Sequence, residues 1–229
     1  MGQKVNPTGF RIGALYTWSS NWFASSKDYK HLLLEDIKLR EFLLDKLQLA
    51  GITQVQIGRS INNITITLHV ARPGVVIGRG GSGLEELKKL ISEKLNQDQT
   101  SAKGLPSSGR KKPPKFELNV VEVKKPDLSA RLVGLRIADQ ITKRYPHRRA
   151  VSQALERIMS AGAKGVKIVF SGRINGAEIS RTEKYTKGSV PLSTIRSDID
   201  YFEQPAFTKF GYVGIKVWIY KGEKNLKTT

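Results

Sequence analysis

The residues in this 229-residue chain best placed to do chemistry are glycines and arginines. Gly78-Arg79-Gly80-Gly81 is a Gly-x-x-Gly stretch with a cation inside it, and Leu84, Leu87, Ile91 and Leu95 follow at helical spacing. Without Cβ atoms, such a loop brings its backbone close to a sugar-phosphate chain. The helix beyond it adds unused N–H donors and the positive end of its dipole. Ser82 with Glu85 three residues on fits a capping box marking the helix start. Arg79 can reach a phosphate from inside the loop, and Lys88 follows on the helix. The spacing is not that of a Walker loop, because no Gly-Lys-Ser/Thr follows. Gly78 to Gly83 matches Gly-x-Gly-x-x-Gly by letter, but no acidic residue closes a parallel strand about 20 residues later, as a dinucleotide site requires.

A second constellation is Tyr145-Pro146-His147-Arg148-Arg149. Cations at a helix N-terminus oppose its dipole, so their presence there points to a bound anion. Arg148, Arg149 and Ser152 share a face by helical spacing. Arg173 and Arg181 bracket a glycine-broken connection in which Glu178 and Glu183 invite a general-acid reading. That reading is weak, since nearby arginines hold both acids ionised and no nucleophile accompanies them. Asp198 and Asp200 could begin a metal site but lack a third ligand, and Arg196 beside them favours a structural charge pattern. Trp18, Trp22, Phe23, Tyr185 and Tyr201 interleave with the charge; base stacking and ordinary packing are both open to them.

Composition narrows the partner. The net charge is +19, from 39 Lys+Arg against 20 Asp+Glu, which favours a polyanion. A membrane surface is disfavoured, because no basic amphipathic helix dominates. The chain has no cysteine and three histidines, His31, His69 and His147, so a Cys-ligated zinc site and a thiol nucleophile are excluded. No cofactor or metal is expected. No run is apolar enough for a transmembrane helix and no secretory segment opens the chain.

These residues need elements to hold them. Residues 1–37 read as an extended arm and helix start, with the helix itself at about 35–50, its apolar side formed by Ile37, Leu39, Phe42, Leu43, Leu44 and Leu47, and stopped by Gly51. Strands at about 54–59 and 63–70 follow; Ile64, Ile66, Leu68 and Val70 alternate with Thr65, Thr67 and His69, which puts His69 opposite the core. Residues 98–115 form a basic insertion rich in Gly, Pro and Ser that reads as a mobile loop, open to being a solvated insertion or a phosphate-touching arm, before a strand at 116–123. The order α-β-β-α-α-β over 38–124 is an α+β layer. Residues 125–229 read as a second α+β unit of two helices packed on a four-stranded sheet. Asp127 would cap its first helix, whose stripe is Leu128, Leu132, Leu135, Ala138 and Ile141. The second helix spans about 147–161, and strands lie at about 166–172, 181–188, 196–204 and 212–220.

A Gly-x-x-Gly loop in that element order has the physics of a KH module, whose loop clamps the backbone of about four nucleotides. Gly2-Gln-Lys-Val-Asn-Pro-Thr-Gly-Phe-Arg-Ile-Gly13 also resembles the opening of the bacterial-type small-subunit ribosomal protein three family. So do Ala71-Arg-Pro-Gly-Val-Val-Ile-Gly78, Gly162-Ala-Lys-Gly-Val-Lys167, Ser171-Gly-Arg173, Gly176-Ala-Glu-Ile179, Val190-Pro-Leu192, Asp198-Ile-Asp-Tyr201 and Gly214-Ile-Lys-Val-Trp-Ile-Tyr-Lys-Gly-Glu223. The resemblance covers nearly the whole chain. It implies a type II KH domain followed by the family's own C-terminal α+β domain, and a place in the head of the small subunit bound to ribosomal RNA. It also implies small-subunit proteins ten and fourteen as neighbours, and a part in lining the channel through which messenger RNA enters. There Arg148 and Arg149 match positions that help strip structure from message. Ser152 stands where the family commonly has a third cation, and Gly80 where many members carry a second loop lysine.

The resulting expectation is a non-enzymatic RNA-binding constituent of a cytoplasmic, or organellar, small subunit. Lys4, Arg11, Arg72, Ile77, Gly78, Arg79, Gly80, Gly81, Lys88, Arg148, Arg149, Arg173 and Arg181 are its RNA-binding residues. The alternatives are a free KH-type single-stranded RNA-binding protein and, further off, a lyase using a lysine amine.

Overall fold

Ile64, Ile66, Leu68 and Val70 are all buried, as strict alternation on a half-covered strand requires. The structure containing them is a computed structural model that describes residues 4–60, 63–101 and 115–224. In chain order its elements are α1 (Pro7–Phe10), β1 (Ser20–Asn21), α2 (Ser26–Lys46), β2 (Ile52–Arg59), β3 (Asn63–Val70), α3 (Pro73–Ile77) and α4 (Ser82–Ser101). There follow β4 (Lys115–Glu122), α5 (Ala130–Thr142), α6 (His147–Ser160), β5 (Gly165–Gly172), β6 (Arg181–Gly188), β7 (Ser197–Thr208) and β8 (Gly211–Glu223). Two compact units result: residues 18–124, and residues 1–17 together with 125–229. Most of the basic insertion expected at 98–115 lies outside the described residues.

The unit of residues 18–124 has the order α-β-β-α-α-β in α2-β2-β3-α3-α4-β4, with β1 added at the edge. Strands run β1-β2-β3-β4; β2 and β3 are antiparallel, with Ile57 opposite Ile66, and β3 and β4 are parallel, with Leu68 opposite Val120. Leu39 and Leu43 of α2, Leu47 directly after it, Val76 of α3, and Leu87 and Ile91 of α4 close over the strands. Helix α2 starts at Ser26, nine residues before the expected Glu35. Its first turns carry exposed Tyr29, Leu33, Leu34 and Ile37, so no buried stripe announces them. Behind it, buried Asp36 accepts from the Trp22 indole at 2.7 Å and pairs with Arg59 of β2 at 2.5 Å.

In the other unit the sheet order is β6-β5-β8-β7, antiparallel throughout. Val213, Ile215, Val217 and Ile219 alternate into its core as expected, against Val133 and Ile137 of α5 and Val151 and Ile158 of α6. The stripe of α5 is broader than the one expected: Leu132 and Ala138 are buried and Leu128 and Ile141 pack against the core as expected, Ala130, Val133 and Ile137 join them, and Leu135 alone of the expected residues is exposed. Asp127 does not cap α5. It pairs with Arg136 at 2.8 Å, and the Ala130 N–H is met at 3.1 Å by Asp200 of β7.

The N-terminal segment is locked into this same unit. Asn6 caps α1 through the Thr8 and Gly9 N–H groups. The Arg11 guanidinium donates to Pro7, Leu192 and Thr194 carbonyls at 2.8–2.9 Å. With its side chain fully buried and both terminal guanidinium nitrogens bound to carbonyls, Arg11 cannot meet a phosphate as expected; it is a clamp.

Candidate nucleic-acid interface

The glycine loop sits on a tight joint between two helices. Gly78, Gly80 and Gly81 all take positive φ (71°, 61° and 86°), a region open to glycine at no steric cost. They do not have the same task. A Cβ on Gly78 would lie 2.9 Å from the Gly83 nitrogen, and one on Gly83 would lie 2.7 Å from the Val76 carbonyl oxygen. Those two let α3 and α4 meet. Gly80 and Gly81 face open space, leaving their backbone accessible to a ligand.

The capping box does not form. The turn at Arg79–Gly81 runs directly into α4, so Ser82 is already helical and its hydroxyl donates back to the Arg79 carbonyl at 3.1 Å. Arg72, Arg79 and Lys88 are exposed around the loop, and Ile77 and Val75 offer an apolar shelf beside it, 38% and 50% exposed. This unit therefore combines open glycine backbone, cations and apolar surface, the combination that holds an RNA backbone while leaving bases room to pack.

The second group belongs to the other unit. Helix α6 begins His147-Arg148-Arg149 after Pro146, with no acidic residue in its first turn and no side-chain cap. His147 points inward: it is buried, with Nε2 2.9 Å from Glu183 Oε2 and Nδ1 3.3 Å from Asn175 Oδ1. Tyr185 donates to the same Glu183 oxygen at 2.5 Å. That bond, and then His147, hold the Glu183 carboxyl below the ordinary carboxylate range against the opposing effect of burial. An acid held ionised in this way orients His147 and does not fit the general-acid reading of Glu183.

With His147 anchored, Arg148 and Arg149 are both exposed and neither is in an ion pair among the described residues, although Arg148 lies near enough to Tyr185 and Glu183 to act on both. Arg149 stacks over Tyr145 at 5.7 Å. Arg148 and Arg181 border one open cleft of about 460 Å³. Arg173 lines a neighbouring cleft, and exposed Lys4 lies on the N-terminal segment of this unit.

Asp198 and Asp200 are structural. Tyr16 and Lys224 each reach Asp198 at 2.6 Å, and Lys221 reaches Asp200 at 3.2 Å. Burial alone would raise the Asp198 carboxyl, but the bonds from Lys224 and Tyr16 carry it below its ordinary value. Among the described residues no group of His, Asp and Glu could hold a metal ion. Of the aromatics, Trp22, Tyr185 and Tyr201 are engaged in packing or hydrogen bonds, while Trp18 and Phe23 stay 66% and 97% exposed.

Arg144, Lys209 and Phe210 were not among the residues the sequence singled out, yet they line the cleft beside Arg173. Only the missing glycine after α5 hints at Arg144; the other two sit at a hairpin tip with no local signal.

Comparison with known proteins agrees with this division. Residues 38–128 match the family model of the KH domain, and residues 137–219 match that of the ribosomal protein S3 C-terminal domain. The chain is 48% identical over 223 residues to the small ribosomal subunit protein uS3 of Vesicomyosocius okutanii, covering 97% of this chain and 90% of that protein. Against the protein of the same name from Desulforamulus reducens it is 47% identical, covering 97% and 93%. For Leuconostoc citreum the figures are 44%, 97% and 96%.

Proposed function

The chain belongs to the family of the small ribosomal subunit protein uS3, structural and non-enzymatic constituents of that subunit, and from this premise we propose that it grips ribosomal RNA with the Gly78–Gly81 loop and messenger RNA with the Arg148–Arg149 corner. The observation that carries the second half is the corner itself. Two exposed arginines without ion pairs among the described residues stand on the first turn of α6, where the helix dipole repels them; that turn holds no acid, and Glu183 on the neighbouring strand offsets Arg148 alone. A polyanion passing that turn relieves the repulsion. On this reading the protein helps line the channel through which message enters and opens structure in it. Its neighbours in the head of a cytoplasmic subunit are small-subunit proteins ten and fourteen.

Ser152 leaves the next turn of α6 without a third cation. Arg181 shares the cleft beside Arg148 and supplies positive charge from the sheet side instead. Arg72, Arg79 and Lys88 around the loop, with Lys4 and Arg173 in the other unit, add phosphate contacts whose strength depends on salt. The alternative of a free KH protein fits poorly with a family relationship spanning 97% of the chain.

The experiment replaces Arg148 and Arg149 with alanine. Subunits should assemble normally and translate unstructured message at the usual rate, but slow on message containing stable hairpins. Equal slowing on both templates would overturn the channel role.

A further inference from the structure

Among the described residues, two that are not glycine hold a positive φ: Arg144 at 61° and Asn175 at 55°. Both line the same cleft in the unit that carries the corner. Arg144 follows the end of α5. Its N–H donates to the Ile141 carbonyl at 2.9 Å and the next N–H, of Tyr145, to Gln140 at 2.9 Å, which is the Schellman pattern. Glycine is the residue this position favours, because a Cβ is crowded in the left-handed region. Asparagine tolerates this region, so the cost falls on Arg144, and backbone strain of that kind collects where a ligand binds.

The lining matches a ligand of one kind. Tyr145 and Phe210 provide aromatic surface, Arg144, Arg173 and Lys209 provide charge, and no acidic side chain lines the cleft. None of the three cations is in an ion pair among the described residues. Phe210 is 54% exposed at the tip of the β7–β8 hairpin, yet it is held in place. A Cβ on Gly176 would meet its ring at 2.7 Å, and the Arg173 guanidinium stands 5.9 Å over that ring while reaching the Phe210 carbonyl at 3.5 Å. A fixed, exposed ring rimmed by uncompensated cations is how single-stranded nucleic acid is held: the base stacks and the backbone finds charge.

We propose that this cleft receives one unpaired nucleotide of RNA, its base stacked on Phe210 and its phosphate among Arg144, Arg173 and Lys209. The inference rests on reading this unit as RNA-binding, and does not require that the corner act on message. Ribosomal RNA and messenger RNA offer the same chemistry, so the test separates them.

The full-length chain is titrated with a labelled single-stranded hexaribonucleotide, with inorganic polyphosphate of similar length as the competing polyanion. F210L keeps an apolar side chain and loses the ring; it should weaken RNA binding at least about fivefold and leave polyphosphate binding unchanged, while F210W should bind RNA like the parent. R144G should weaken both ligands while its thermal midpoint holds or rises, because glycine relieves the left-handed backbone. RNA binding unchanged in F210L, or lost equally for RNA and polyphosphate, overturns the proposal. So does an R144G chain that binds RNA like the parent.

A photoreactive phenylalanine at position 210 in assembled subunits then names the source. Crosslinks to ribosomal RNA without message identify one source, crosslinks appearing only with message identify the other, and crosslinks to protein alone overturn the proposal. Failure here is distinct from failure at the corner. A silent F210L beside a hairpin-sensitive Arg148/Arg149 variant removes only the nucleotide slot; the converse pair of results removes only the channel role.

Discussion

The Tyr16 hydroxyl donates to the Asp198 carboxylate at 2.6 Å, across 182 positions of sequence. With Arg11 clamping the Leu192 and Thr194 carbonyls beside it, this contact makes the first 17 residues part of the same unit as the C-terminal sheet. Removing the hydroxyl in Y16F leaves a buried carboxylate short of one donor and should cost about 1.5–3 kcal/mol. Urea unfolding of the full chain measures it. A change below about 0.5 kcal/mol would show that the segment is merely resting on the sheet.

Asp198 also sets an acid limit. Its folded carboxyl lies below the ordinary value, the bonds from Lys224 and Tyr16 outweighing burial. Its contribution is therefore complete above the unfolded aspartate value of about 3.9 and is lost as pH falls through the folded value. Thermal midpoints measured from pH 5 downward should fall less steeply in D198N than in the parent. Parallel curves would contradict this source of acid sensitivity.

The loop glycines divide into two classes that substitution can separate. G83A forces a Cβ to 2.7 Å from the Val76 carbonyl oxygen and should cost about 1–3 kcal/mol by displacing α4. G80A meets open space and bears only its positive φ, about 1 kcal/mol. RNA affinity should fall further in G83A, because the start of α4 moves with the displaced backbone. Equal losses in both variants would mean that the joint between α3 and α4 is not what shapes the loop.

Asp36 is buried against Arg59, with Trp22 and Ser20 completing its shell. D36N leaves the arginine with Glu35, at 2.9 Å, as its remaining counter-charge and should cost about 1.5–3 kcal/mol. Replacing Asp45, an exposed residue on the same helix, gives the comparison, with an expected change within about 0.5 kcal/mol.

What could be read from the sequence was what is locally periodic. Ile64 to Val70 and Val213 to Ile219 announce their strands because alternate residues fall on a buried face, and β6 runs over residues 181–188 as its pattern indicated. Both candidate sites were visible for the same reason: Gly78–Gly81 and Arg148–Arg149 are contiguous. Features made by distant residues were not visible. Arg11 has the letter of a phosphate ligand, and only the chain at 191–194 turns it into a clamp. Asp127 stands where a cap belongs, but Asp200 arrives from the sheet to do that work. Ser82 fails as a cap because the glycine turn before it is already wound. The early turns of α2 bury too little to leave a stripe, and the cleft of Arg144 and Phe210 is assembled from a helix end and a hairpin tip about 65 residues apart.

The central claim is that Arg148 and Arg149 hold RNA by its phosphates, and the salt dependence of binding tests it most directly. For single-stranded RNA the slope of log K against log salt is about −0.7 per phosphate neutralised. The double glutamine variant R148Q/R149Q of the full chain should bind a single-stranded RNA with a slope shallower by about 1.4 than the parent. An unchanged slope would contradict the account, whatever the affinity.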